Sequence, residues 1–184
     1  LLGILKAIPE CKKWILIGNS LGGWIAARAT LALPELVVAY VGVGAAGLGA
    51  LAHRHVIPPD REITIEDLKD FQARAYYRPR PIADWVWKKI VEKSRTGNGR
   101  AVMAAQKDSE RLVDPELAGL GKIPTLLIAG EDDRIIEPNE AKAAREKIPG
   151  ARLALLPKCG HLPQKECVLP LLGALDSFFG KLPL

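Results

Sequence analysis

The chain has 184 residues, 48% hydrophobic and 26% charged, a balance that fits one soluble domain with a sizeable core. The net charge of +5 is scattered over residues such as Lys12, Lys13, Arg74, Arg78, Arg80, Lys88 and Lys89, and aromatics are few, so the clustered basic, stacking face of a nucleic-acid binder is not expected. Three cysteines without a CxxC or a repeated spacing argue against a disulfide framework and a metal site; reduced thiols and a cytoplasmic compartment are expected.

Residues 1 to about 11 place apolar side chains at helical spacing, with Pro9 as the stop. Lys6 interrupts this run and no small-residue cleavage site follows, so it does not read as a signal peptide. No segment approaches the roughly 18 apolar residues of a membrane span. Residues 14 to 17, "WILI", form a continuous apolar run, as in a strand covered on both faces. "LGGWIAARATLAL" over 21 to 33 reads as a helix, ended by Pro34, and 36 to 43 is a second strand. Trp24 is expected to pack its helix onto the sheet.

Residues 44 to 59 lose periodicity and carry His53 and His55, for which a solvated or packing role is expected. Thr64 with Asp67 resembles a capping box, followed by a helix with Ile65, Leu68 and Phe71 on one face. Pro79 and Pro81 break it. "IADWVWKKIVEK" is another amphipathic helix, and "RAVMAAQKDSE" reads as one more. Residues from about 50 to 118 therefore form a mostly helical insertion. Strand-and-helix alternation resumes with a strand at 125 to 129, a helix at 138 to 148, a strand at 151 to 157, and an amphipathic helix from 164 bent at Pro170. This order implies a mostly parallel sheet with helices on both faces.

Gly18-Asn19-Ser20-Leu21-Gly22 matches G-x-S-x-G between a predicted strand and helix. A sharp turn there lifts the Ser20 hydroxyl above the sheet edge, and side chains at 18 and 22 are expected to collide. The Leu21 N–H, at a helix N-terminus, is a candidate oxyanion donor. A serine nucleophile needs a base and an orienting acid. His161, in a glycine-containing loop after the last strand, is the candidate base, since parallel strands all end at one edge. "GEDD" after the third strand offers Glu131, Asp132 and Asp133 as the acid.

On these three motifs the chain resembles the α/β-hydrolase superfamily over nearly its whole length. The acid loop is similar to the family's G-E-x-D…P, met here by Gly130, Glu131, Asp133 and Pro138, which implies Asp133 as the acid, with Asp132 second. The histidine loop is similar to G-H-x-P-x-x-E, met by Gly160, His161, Pro163 and Glu166. The resemblance implies three parts: core with elbow at 1–49, a helical cap at 50–118, and core with acid and histidine loops at 119–184. It implies a serine hydrolase acting on an ester or related acyl bond of an apolar small molecule, without cofactor or metal. Trp85, Trp87, Tyr76 and Tyr77 are candidates for an apolar pocket or for packing within the cap.

The chain departs from the family in two respects. The strands that precede the nucleophile in relatives are absent, as is the H-G-x-like loop that supplies their second oxyanion donor. The expectation is the C-terminal portion of a longer hydrolase, with an exposed edge strand at 14 to 17 through which copies could pair. "GNSLGG" and the cap also resemble the carbon–carbon bond hydrolases of aromatic degradation, although Leu162 stands where several of those carry tryptophan. A non-catalytic small-molecule receptor and an inactive fragment are the other readings.

Overall fold

A computed structural model describes residues 1–8, 11–48, 62–96 and 114–182. Four strands form one sheet: β1 (Trp14–Asn19), β2 (Val37–Val43), β3 (Thr125–Gly130) and β4 (Arg152–Leu156). They lie in the order β1-β2-β3-β4, and every neighbouring pair is parallel. The helices are α1 (Leu2–Ala7), α2 (Leu21–Ala32), α3 (Ile65–Ala75), α4 (Asp84–Thr96), α5 (Asp114–Leu120), α6 (Pro138–Lys147), α7 (Pro163–Glu166) and α8 (Val168–Phe179).

The strand period of two sorts side chains between two cores. On one face Leu16, Tyr40 and Leu127, with Val37 shifted onto this side by an irregularity at the start of the β1–β2 pairing, pack with Ala26 and Ala29 of α2, Leu117 of α5 and Ala144 of α6. On the other, Ala39, Val41, Val43, Leu126 and Ile128 pack with Leu171 and Phe178 of α8. Every residue of β3 is buried, as a central parallel strand covered on both faces requires. Parallel pairing also brings the ends of all four strands, Asn19, Val43, Gly130 and Leu156, to one edge.

β1 differs from its expected double burial. It is the edge of the sheet among the described residues, and Ile17 is 51% exposed while Leu16 on the opposite face is buried. Trp24 is also placed differently. It lies against Gly47, in the loop after β2, where an added Cβ would come within 2.5 Å of the indole. The predicted C-terminal helix is two helices. The break falls at Cys167 (φ −135°, ψ 54°), because Pro170 sits in the first turn of α8, where its missing N–H costs no helical bond.

Between β2 and β3, the capping box at α3 forms as expected. The Asp67 N–H donates to Thr64 Oγ1 (3.2 Å), and the Thr64 N–H donates to Asp67 Oδ2 (2.9 Å). The predicted helix over 100–110, with His53 and His55, lies outside the described residues.

The expectation of reduced thiols fails for one pair: Cys159 and Cys167 are joined in a disulfide, while Cys11 is free and exposed. The pairing was hidden because β4, α7 and the loop between them bring together residues with no characteristic spacing. With it goes the thiol argument for a reducing compartment. No described helix is long and apolar enough to cross a membrane.

Candidate active site

Ser20 follows β1 directly and caps α2, with φ 55° and ψ −123°. Such a backbone costs a non-glycine residue about 1–3 kcal/mol and persists only where its surroundings hold it. Here the Ser20 N–H donates to Val43 O (3.0 Å), while its carbonyl accepts from Gly23 N (2.9 Å) and Ala46 N (3.1 Å). Glycine is required at 18, where a Cβ would run into the Gly22 carbonyl. The expected collision at 22 does not occur, because a Cβ there would point into open space. The second indispensable glycine is Gly23, whose Cβ would lie 2.5 Å from that of Ala45. The fully buried Tyr40 hydroxyl donates to the Gly23 carbonyl at 3.0 Å, and burial pushes its pKa up, which keeps it a donor. Leu21 opens α2, so its N–H has no acceptor within the helix.

Asp133 follows β3 and His161 follows β4. Asp133 Oδ2 lies 2.7 Å from His161 Nδ1, and both residues are buried. Asp133 Oδ1 accepts from the N–H groups of Ile135 (2.8 Å) and Ile136 (3.0 Å), so both carboxylate oxygens are committed. A carboxylate oxygen accepts, so the contact orients Nδ1–H toward Asp133 and leaves Nε2 as the ring nitrogen facing away from it. Glu131 is exposed, and the main-chain N–H of Asp132 donates to Cys159 O (2.9 Å). Gly44, at φ 48°, leaves room for the pair: a Cβ there would be 3.2 Å from both Asp133 Oδ2 and His161 Nδ1.

The histidine loop is gripped from two sides. The His161 N–H donates to Ala75 O at the end of α3 (2.7 Å), and Gly160 sits flush against the same carbonyl. Glu166 accepts from the N–H groups of Gly160 (2.8 Å), Tyr77 (3.0 Å) and Arg78 (2.8 Å). From the elbow, Asn19 Nδ2 donates to both Val43 O (2.9 Å) and His161 O (3.0 Å). Among the described residues no hydrogen bond joins the Ser20 hydroxyl to His161; Asn19 is the link between their loops.

The sequence reading missed Asn19, Gly23 and Gly44. The glycine-rich run after β2 was the available signal for Gly44. Of the aromatic candidates, Trp87 is buried, Trp85 is 65% exposed, and Tyr76 and Tyr77 are half-buried. A cavity of about 540 Å³ lies elsewhere, between α1, α2 and α5, lined by Leu2, Ile25, Leu31 and Glu116. It includes none of Ser20, Asp133 and His161, so it is not where the buried pair could act. No cluster of three or more metal-ligating side chains occurs among the described residues.

A family model described as the alpha/beta hydrolase family matches residues 2–167. The chain belongs to the alpha/beta hydrolase family. It is similar to mouse mitochondrial palmitoyl-protein thioesterase ABHD10, with 38% identity over 65 residues, 35% of this chain and 22% of that one. It is 26% identical over 180 residues to the 2-hydroxy-6-oxononadienedioate/2-hydroxy-6-oxononatrienedioate hydrolase of Klebsiella pneumoniae, covering 89% of this chain and 62% of that one. In structure it resembles the meta-cleavage product hydrolase of Pseudomonas fluorescens, with a TM-score of 0.81 at 23% identity, over 98% of this chain and 69% of the other. The chain thus spans less than two thirds of the length of these two curated relatives.

Proposed function

We propose that this α/β hydrolase is a serine hydrolase that cleaves an ester or related acyl bond through Ser20, His161 and Asp133. The observation that carries the reading is the buried 2.7 Å contact of His161 Nδ1 with Asp133 Oδ2, at the same sheet edge as the strained turn at Ser20. In this reading His161 Nε2 takes the hydroxyl proton as Ser20 Oγ attacks the substrate carbonyl. Asp133 fixes the tautomer and stabilises the imidazolium. The Leu21 N–H donates to the oxyanion. Collapse breaks the acyl bond, and His161 returns the proton to the leaving group. Water then attacks the acyl-enzyme, giving up its proton to His161, which passes it back to Ser20.

Residues 50–118 act as a cap in this account. The docking of Ala75, Tyr77 and Arg78 on the histidine loop supports that assignment. Ile17, half-exposed on β1, the edge strand among the described residues, supports pairing of copies through β1.

Hydrolysis of p-nitrophenyl esters and acyl thioesters by the 184-residue chain, lost in Ser20→Ala, is the expected result. No turnover with any acyl substrate would leave a receptor or an inactive portion of a larger protein. The similarity to the Klebsiella hydrolase favours a second reading, cleavage of a carbon–carbon bond in a vinylogous diketone acid. Preference for such an acid over acyl esters of equal size would select it.

A further inference from the structure

We infer that the Cys159–Cys167 pair is a thiol–disulfide site that controls the histidine loop: the closed bond holds His161 on Asp133, and reduction releases it. The inference rests on the triad proposed above for its effect on turnover, though not for its effect on the loop. The two cysteines bracket Gly160, His161 and Glu166, and their Cα atoms are 5.8 Å apart, within the range a disulfide spans. Cys159 is fully buried, and its carbonyl accepts the Asp132 N–H next to the acid. Cys167 lies in the break between α7 and α8 and is anchored by its N–H to Pro163 O (3.0 Å). The bond therefore ties the residue two before His161 to the start of α8, whose Leu171 and Phe178 are rooted in the core.

The remaining ties of this loop are single hydrogen bonds to separate elements. Cys159 O accepts the Asp132 N–H, His161 N–H meets Ala75 O, His161 O meets Asn19, Gly160 N–H meets Glu166, and the His161 ring meets Asp133. Without the covalent link, the imidazole depends on those bonds staying closed together. Small displacements of a base relative to its nucleophile are costly in rate.

The chemistry is exchange with a dithiol. A dithiol thiolate attacks the Cys167 sulfur, the more accessible of the two (8% exposed, against 0% for Cys159), and the Cys159 thiolate leaves. The second dithiol sulfur then displaces Cys167 and closes a cyclic disulfide. Two electrons pass to the protein, and the dithiol's two protons end on the cysteines. A small-molecule disulfide such as oxidised glutathione reverses the step. Cys11 is the remaining cysteine, exposed and remote in sequence from the loop.

The test uses the full chain carrying Cys11→Ser, oxidised, then treated with dithiothreitol, then reoxidised with glutathione disulfide. Three quantities are followed: free thiols, the low-field proton NMR signal of the His161 Nδ1–H on Asp133, and the rate of fluorophosphonate labelling. Reduction should expose two thiols, broaden or remove the NMR signal, and slow labelling by about tenfold, all reversibly. Cys167→Ala should sit at the slow rate in either buffer. Folding in both redox states is checked by circular dichroism. Two new thiols with an unchanged signal and rate would overturn the inference. So would a pair that resists excess dithiothreitol in the folded chain. A signal that responds while no state labels would refute the triad and leave loop control standing.

Discussion

The side chain of Asn19, next to the strained serine, donates to the backbone carbonyl of His161 at 3.0 Å across 142 residues of sequence. The same amide nitrogen donates to Val43 O, which also accepts the Ser20 N–H. One side chain thereby joins the ends of β1, β2 and the histidine loop. Asn19→Ala should slow ester turnover by about tenfold or more through misplacement of His161, with little change in KM. Stopped-flow acylation against the parent chain checks this. Asn19→Asp, which replaces the donor with an acceptor facing two carbonyls, should be at least as damaging.

Asp133→Asn should be far more harmful to turnover than to folding. Oδ1 already accepts two N–H groups, so the asparagine oxygen must stay there and its NH2 must face His161 Nδ1. That donor forces the proton onto Nε2, the nitrogen that should accept from Ser20. A drop of about 10⁴ in kcat is expected with near-parental circular dichroism. Asp132→Asn should be nearly silent by the same assay.

The elbow glycines make a sharper forecast than the motif does. Gly22→Ala meets open space and should keep folding and activity, whereas Gly18→Ala and Gly23→Ala drive a methyl into backbone or into Ala45. Overpacking of this kind costs about 1–3 kcal/mol or more, read as a fall in Tm and loss of labelling at Ser20.

Tyr40 links the core to pH. Burial raises the folded-state pKa of its phenol above the unfolded value, so the folded form cannot ionise where the unfolded chain does. Its stabilising contribution is complete below the unfolded pKa of about 10 and is lost as pH climbs above it toward the folded value. Urea midpoints between pH 8 and 11 should fall in the parent and fall less in Tyr40→Phe. That variant should also lose about 1 kcal/mol at neutral pH with the bond to Gly23 O.

What could be read from the sequence was local. The runs "VVAYVGV" and "TLLIAG" announced buried parallel strands, Thr64 and Asp67 announced a helix start, and "GNSLG" announced a turn with a lifted hydroxyl. Chain order then put His161 at the Ser20 edge. What escaped depends on partners distant in sequence. Gly23 is constrained by Ala45 and Gly44 by Asp133 and His161; Glu166 stood in the histidine motif, but its hold on the N–H groups of Tyr77 and Arg78 did not show there. No periodicity encodes such contacts. The break at Cys167 escaped because a proline in a first helical turn looks, in sequence, like a proline that bends a helix.

The most direct measurement is fluorophosphonate labelling of the 184-residue chain, followed by peptide mapping of the modified residue. The account predicts a single adduct on Ser20, absent in Ser20→Ala and slowed strongly in His161→Ala. A folded chain that takes no label, or takes it elsewhere, would contradict the claim that Ser20, His161 and Asp133 form a working triad.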